Sequence, residues 1–305
     1  MPTRPVYLQL HESGELARRI AAAREILRDC TLCPRNCHVN RLQGERGACR
    51  TGALPVVASF GPHFGEEHPL VGRHGSGTIF LAGCNLQCVF CQNDDISQGG
   101  AGREITVEEL AAMMVALWRQ GCHNLNFVTP THQTAQILEA LPLAIAQGVD
   151  IPLVYNCGGY EAVTTLQLLD GVADIYLPDF KYGDDAVARQ LSGVPAYVAT
   201  AKAALREMHR QVGELTGDPP GIAVRGLLVR HLVLPAGLAG TRRVMQFIAR
   251  EISPATCVNL MDQYHPCYQA YAHPPLDRRV TREEFAAAVA MAHEERLHTR
   301  RQAQL

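Results

Sequence analysis

From residue 78 onward, short apolar runs alternate with longer stretches of helical period, and this alternation constrains the fold more than any other feature of the chain. The apolar runs are TIFLAG at 78–83, NLNFVTP at 124–130, IPLVYN at 151–156, ADIYLPD at 173–179, GLLVRHLVLP at 226–235 and CVNLMDQ at 257–263. Between them lie helical candidates such as 106–121, which opens with Thr106 and Glu109 as a capping box, and 134–148. Strands separated by helices pair in parallel through right-handed crossovers. The pattern therefore predicts an α/β fold built as a partial (β/α)6 barrel, with a flat doubly wound sheet as the alternative.

Three divisions follow along the chain. Residues 1–75 read as an N-terminal module, 76–272 as the partial barrel and 273–305 as a helical extension. In the module, Leu16, Ile20, Ala23 and Leu27 recur at helical spacing, predicting a helix over 13–29. The segment 54–76 is rich in Gly, His and Pro and reads as a loop joining module to barrel. The run TREEFAAAVAMAHEERL at 281–297 reads as a last helix capping the barrel.

Charge narrows the function. The net charge is −2 and the Lys and Arg residues are scattered, which disfavours binding to a nucleic-acid backbone. Met1 to Glu12 lacks the apolar core of a signal peptide, and no 18 apolar residues run together. The expectation is a soluble, cytoplasmic protein with no membrane partner.

Eleven cysteines are many for such a chain, and seven fall in two tight groups. In a reducing compartment, clustered cysteines point to metal or catalysis. Cys84, Cys88 and Cys91 follow the first predicted strand in GCNLQCVFCQN, where a loop emerges at the C-terminal mouth of a barrel. Three thiolates can hold only three irons of a cubane, which leaves the fourth iron open to a chelating ligand. A structural zinc site is the competing reading, but zinc in that role wants four protein ligands.

The segment GSGTIFLAGCNLQCVFCQN resembles the cluster-binding segment of radical S-adenosylmethionine (SAM) enzymes, in particular the pyruvate formate-lyase activating enzyme and its relatives. CTLCPRNC with NRLQGERGAC resembles an extended, activating-enzyme-related branch. The resemblance implies a 4Fe-4S cluster on Cys84, Cys88 and Cys91, S-adenosylmethionine as cofactor, and a 5'-deoxyadenosyl radical that abstracts hydrogen. It implies a reducing flavodoxin or ferredoxin as electron donor and a protein substrate. It also nominates cofactor contacts: Asn93 after the third cysteine, Thr129 and Thr131 where the family carries Gly-Gly-Glu, Asn156 after the third strand, Asp179 and Lys181 in PDFKY, Arg230 on the fifth strand and His265 in QYHP. This chain departs from the family in reading Thr-Pro-Thr-His at 129–132, and His132 is an added candidate.

Cys30, Cys33, Cys37 and Cys49 have spacing C-x2-C-x3-C-x11-C. Four soft thiolates make a complete site for zinc or for a second iron-sulfur cluster, and both stay open. Two further readings of the whole chain also stay open: radical chemistry on a small metabolite or peptide, and a non-catalytic electron-transfer or docking protein.

Overall fold

The computed structural model describes residues 4–218 and 221–300. Its strands are β1 (Val56–His63), β2 (Ser76–Leu81), β3 (Arg103–Glu104), β4 (Leu125–Val128), β5 (Leu153–Cys157), β6 (Ile175–Pro178), β7 (Thr216–Asp218), β8 (Ile222–Leu232), β9 (Cys257–Met261) and β10 (His298–Arg300). They form one sheet in the order β10-β9-β8-β6-β5-β4-β2-β1-β3, with β7 attached to β8. From β2 through β4, β5, β6, β8 and β9 every neighbouring pair is parallel. These are the six strands expected from the apolar runs. Their order follows the sequence without reversing, which is the winding of a barrel rather than of a doubly wound sheet. The two edge strands, β3 and β10, do not pair with each other, so the barrel stays open.

The crossover helices form where their caps place them. Thr106 and Glu109 close a reciprocal box at the start of Val107–Arg119, the Glu109 amide donating to Thr106 Oγ1 at 3.1 Å and the Thr106 amide to Glu109 Oε2 at 2.8 Å. Helix Thr134–Ile145 follows β4, and its buried face is mostly apolar, with Thr134 and Gln136 buried as well. Helix Glu15–Ile26, inside the predicted 13–29, packs on it through Leu16 and Ala23.

One expectation is corrected. The segment 54–76 is not only a loop: β1 occupies much of it and pairs antiparallel with β2. Gly61 and Pro62 disguise the strand, but β3 reaches only Val56 and Val57, so Pro62 lies on an unpaired edge where its missing N–H costs nothing. β1 pairs with β2 and β10 pairs with β9. Helix Arg282–Glu294 packs beside helix Thr241–Phe247, at the flank of the sheet. Among the described residues no helix is long and apolar enough to cross a membrane.

Candidate active site and a second cysteine pocket

All six parallel strands deliver side chains from their C-terminal ends, or from the loops just beyond, into one cleft of about 370 Å³. Cys84, Cys88, Cys91 and Asn93 line it from the loop after β2, Thr129 from β4, Asn156 and Cys157 from β5, Asp179 and Lys181 from β6, and Arg230 from β8. Register does the alignment. Val128 pairs with Asn156 across β4 and β5, and Asp179 bridges to Arg230 across β6 and β8.

The cysteine loop is pinned from below. Gly83 turns the chain at φ +82°, and a Cβ there would stand 2.5 Å from the Cys49 carbonyl oxygen, so no other residue fits this corner. Asn85 Nδ2 donates to the Tyr160 carbonyl at 2.7 Å, and the Gln87 and Val89 amides donate to the carbonyls of Ser192 and Leu191 at 3.1 and 2.9 Å. The sulfurs are met by polar groups: the Leu86 amide donates to Cys84 Sγ at 3.3 Å, Ser192 Oγ lies 2.9 Å from Cys88 Sγ, and Ser97 Oγ lies 3.2 Å from Cys91 Sγ. Burial pushes the Cys84 and Cys88 thiols upward, and the Lys181 ammonium pulls both back. Such thiols ionise readily only when a metal takes the charge.

The same cleft holds an ion network. Asp179 Oδ2 accepts from Lys181 Nζ at 2.6 Å, and Asp179 Oδ1 accepts from Arg230 Nε at 2.8 Å. Arg230 Nη2 also donates to Asn156 Oδ1 at 2.6 Å. Burial alone would raise the Asp179 carboxyl, but Arg230 and Lys181 outweigh it and hold the group below the usual carboxylate range. The same partners keep Lys181 and Arg230 charged against their own burial. Glu66 and Glu67 approach from the end of β1, with oxygens 4.0 and 3.9 Å from the Arg230 guanidinium. Glu67 Oε1 accepts from Asn259 Nδ2 at 3.0 Å, while burial raises its pKa and Oε2 has no partner among the described residues.

The Radical SAM superfamily profile matches residues 78–218. An uncharacterised protein of Methanocaldococcus jannaschii is 35% identical over 284 residues, covering 90% of this chain and 77% of its own. The chain belongs to the radical SAM superfamily. Two solved structures share the fold at low identity. A radical SAM methyltransferase from Sphaerobacter thermophilus matches with TM-score 0.52 at 14% identity, covering 74% of this chain and 67% of that one. The protein anSMEcpe with bound AdoMet matches with TM-score 0.50 at 10% identity over 72% of this chain, which spans 62% of its length.

Membership in the radical SAM superfamily implies a 4Fe-4S cluster and S-adenosylmethionine, and the cleft's donor set suits both. Three thiols line it, and the further cysteine in its wall, Cys157, is engaged by the Glu161 carboxylate. A three-thiolate site leaves one iron for the cofactor's amino and carboxylate groups. Lys181 and Arg230 supply fixed positive charge in the same cleft, where a carboxylate gains from it.

Not every expected contact lies here. Thr131 is buried behind the cleft, donating to Glu161 Oε1 at 2.7 Å, because a 3-10 turn over Thr131–Gln133 carries it inward from Thr129. His265 is half-buried and does not line the cleft, and its Nδ1 lies 3.5 Å from Gln92 Nε2, whose residue does. The sequence reading missed His63, Glu66 and Gln263, which line the cleft, and Ser192, which touches Cys88. The paired acids of GEEHP were the available signal for Glu66, hidden by the loop reading of 54–76.

The second cysteine group forms its own pocket. Cys30, Cys33, Cys37 and Cys49 line it together with Arg35, Arg41, Gly47 and His132. Gly47 is fixed by contact, since a Cβ there would stand 2.7 Å from Cys37 Sγ. The Ala48 amide donates to Cys37 Sγ at 3.4 Å. His132, an added candidate for the active site, therefore belongs to this pocket, and burial drives its pKa down to about 4.

Proposed function

We propose that this chain is an activating-enzyme-like radical SAM oxidoreductase that abstracts a hydrogen atom from a protein partner. One observation carries the reading: one cleft of about 370 Å³ is lined both by Cys84, Cys88 and Cys91 and by the Asp179, Lys181 and Arg230 network. That volume is near the lower end for small-molecule sites, roughly 300 to 1,000 Å³. Cluster and cofactor together would take up most of it, so a substrate would present its hydrogen at the mouth, as a protein loop can.

In this reading Cys84, Cys88 and Cys91 hold a 4Fe-4S cluster. When bound, the cluster supplies the electron that breaks a carbon-sulfur bond of S-adenosylmethionine and yields a 5'-deoxyadenosyl radical. The residues of the chain bind and orient. Lys181 and Arg230 face the cofactor carboxylate, and Asn156 holds Arg230 in place through its 2.6 Å hydrogen bond. Asn93 and Thr129 line the cleft and would border the cofactor. Phe80, Leu86 and Phe90 in the cleft wall exclude water from the reacting centre. A reduced flavodoxin or ferredoxin in the cytoplasm would supply electrons.

The test is anaerobic reconstitution with dithionite and S-adenosylmethionine, which should give 5'-deoxyadenosine and methionine. Cys88→Ala should abolish both, and turnover surviving in that variant would remove the ligand assignment. Deuterium carried from a labelled proteome into 5'-deoxyadenosine would identify a protein substrate. Deuterium carried only from labelled small metabolites would favour the metabolite reading instead.

A further inference from the structure

The four-cysteine pocket is lined by two guanidinium groups and a buried imidazole, and two of their nitrogen atoms have no partner among the described residues. Arg41 is 1% exposed. Its guanidinium donates to the Gly52 carbonyl at 2.7 and 3.0 Å and to the His132 carbonyl at 2.8 Å, and Nη1 lies 3.9 Å from Cys30 Sγ. Among the described residues no carboxylate joins this set. A buried cation without an anion is costly, so the pocket calls for negative charge from another source. The four thiols can supply it, beside the buried Glu161 whose charge Cys33 also feels.

Two further polar atoms of this pocket point to an occupant. Arg35 Nη2 is buried and has no partner among the described residues, although Nε and Nη1 of the same guanidinium donate to the Asn85 and Gly193 carbonyls at 2.8 Å each. His132 is 1% exposed, its Nε2 donates to the Ala82 carbonyl at 2.8 Å, and its Nδ1 has no partner among the described residues. Native interiors seldom leave such groups unpaired unless a ligand meets them.

We infer that Cys30, Cys33, Cys37 and Cys49 hold a second iron-sulfur cluster, whose negative charge answers Arg41 and Arg35. A cluster fits the spacing better than a single ion. Among the described residues no three Cys, His, Asp or Glu side chains converge tightly enough for one metal ion, and this is as true of Cys84, Cys88 and Cys91 as of the four. One zinc draws four thiolates to about 2.3 Å from a common centre, whereas a cubane gives each thiolate its own iron and spreads them. The two sites also share structure. Arg35 donates to the carbonyl of Asn85, the residue after Cys84, and Cys49 packs its carbonyl against Gly83, the residue before it.

The experiment counts metal in the full chain with Cys84, Cys88 and Cys91 all changed to Ala, prepared anaerobically with ferrous iron and sulfide. We expect about four iron and about four acid-labile sulfides per chain, a paramagnetic signal on reduction with dithionite, and loss of all three on adding Cys33→Ala. Zinc without sulfide, or no metal, would overturn the inference. If the triple variant does not fold, the unaltered protein serves: about eight iron supports the second cluster, and about four iron with one zinc overturns it. His132→Ala in the triple background should change the line shape or midpoint potential of the remaining signal, and an unchanged signal would strike His132 from the site. S-adenosylmethionine cleavage is silent in the triple variant either way, so these readouts stand apart from the function proposed for the cleft.

Discussion

Arg230→Met keeps most of the side chain's bulk and removes its charge from the centre of the cleft's ion network. Arg230 donates to Asp179 at 2.8 Å and stands 4.0 and 3.9 Å from Glu66 and Glu67, all with side chains less than one-fifth exposed. Unit charges about 4 Å apart are worth roughly 4 kcal/mol at an effective dielectric near 20. Breaking a buried pair costs about 3–5 kcal/mol, because the abandoned charge stays buried. Lys181 remains 2.6 Å from Asp179 and offsets part of that loss. We therefore expect a destabilisation of about 3 kcal/mol near pH 7, the lower end of that range. The pH dependence has a definite sign. Wild-type Asp179 has a depressed pKa, so its stabilisation is present above the ordinary carboxylate pKa and is lost as pH falls through the depressed one. Without Arg230 the folded carboxylates rise above their unfolded values, and their contribution is lost as pH rises through the raised pKa. The gap between the two proteins should therefore narrow as pH falls from about 7 to about 4.5, near the ordinary carboxylate pKa. Urea unfolding at both pH values measures it. A gap below about 1 kcal/mol near pH 7, the ceiling for an exposed pair, or a gap that does not narrow, would refute the reasoning.

Gly83→Ala places a methyl 2.5 Å from the Cys49 carbonyl at a left-handed backbone position, so iron loading should fall at both cysteine sites, measured as iron per chain; loss at one site alone would argue against their shared packing. Asp174, buried with its pKa raised from 3.8 to about 7, should make stability decline as pH rises through that window by on the order of 4 kcal/mol at most. Asp174→Asn should remove this decline, so that the wild type's thermal advantage over the variant shrinks from about pH 5 to about pH 8; parallel curves would show the group does not titrate there. Thr106→Ala breaks one half of the capping box and should cost about 1 kcal/mol in denaturant unfolding, with the slope unchanged.

The parts of this molecule legible in its sequence are those set by local rules. Strand length, helical period and the capping box at Thr106 depend on neighbours a few residues away, and the six parallel strands follow from them. The cysteine triplet was legible because ligand type and spacing follow from the chemistry of a cubane. What the sequence hid depends on register and on contacts between distant segments. Ser192 reaches Cys88 across 104 positions, and Glu67 reaches Asn259 across 192; neither has a local signature.

Residues 129–133 show how fine the limit is. Thr129, Thr131 and His132 stand within four positions after β4, and a reading by position alone sends them all to the barrel mouth. The backbone separates them: Thr129 at φ +61° ends the strand facing the cleft, and the 3-10 turn that follows sends Thr131 to Glu161 and His132 to the four-cysteine pocket. In place of the Gly-Gly-Glu that the resemblance leads one to expect, this chain carries side chains that tie β4 to the N-terminal module. Gln133 adds to that tie, its Oε1 accepting from the Val56 amide at 2.7 Å and its Nε2 donating to the Ala82 carbonyl at 2.9 Å. The Ala82 carbonyl thus receives both Gln133 and His132, two residues before Cys84. A change in what the four cysteines hold would therefore be felt first at the strand end that presents the triplet.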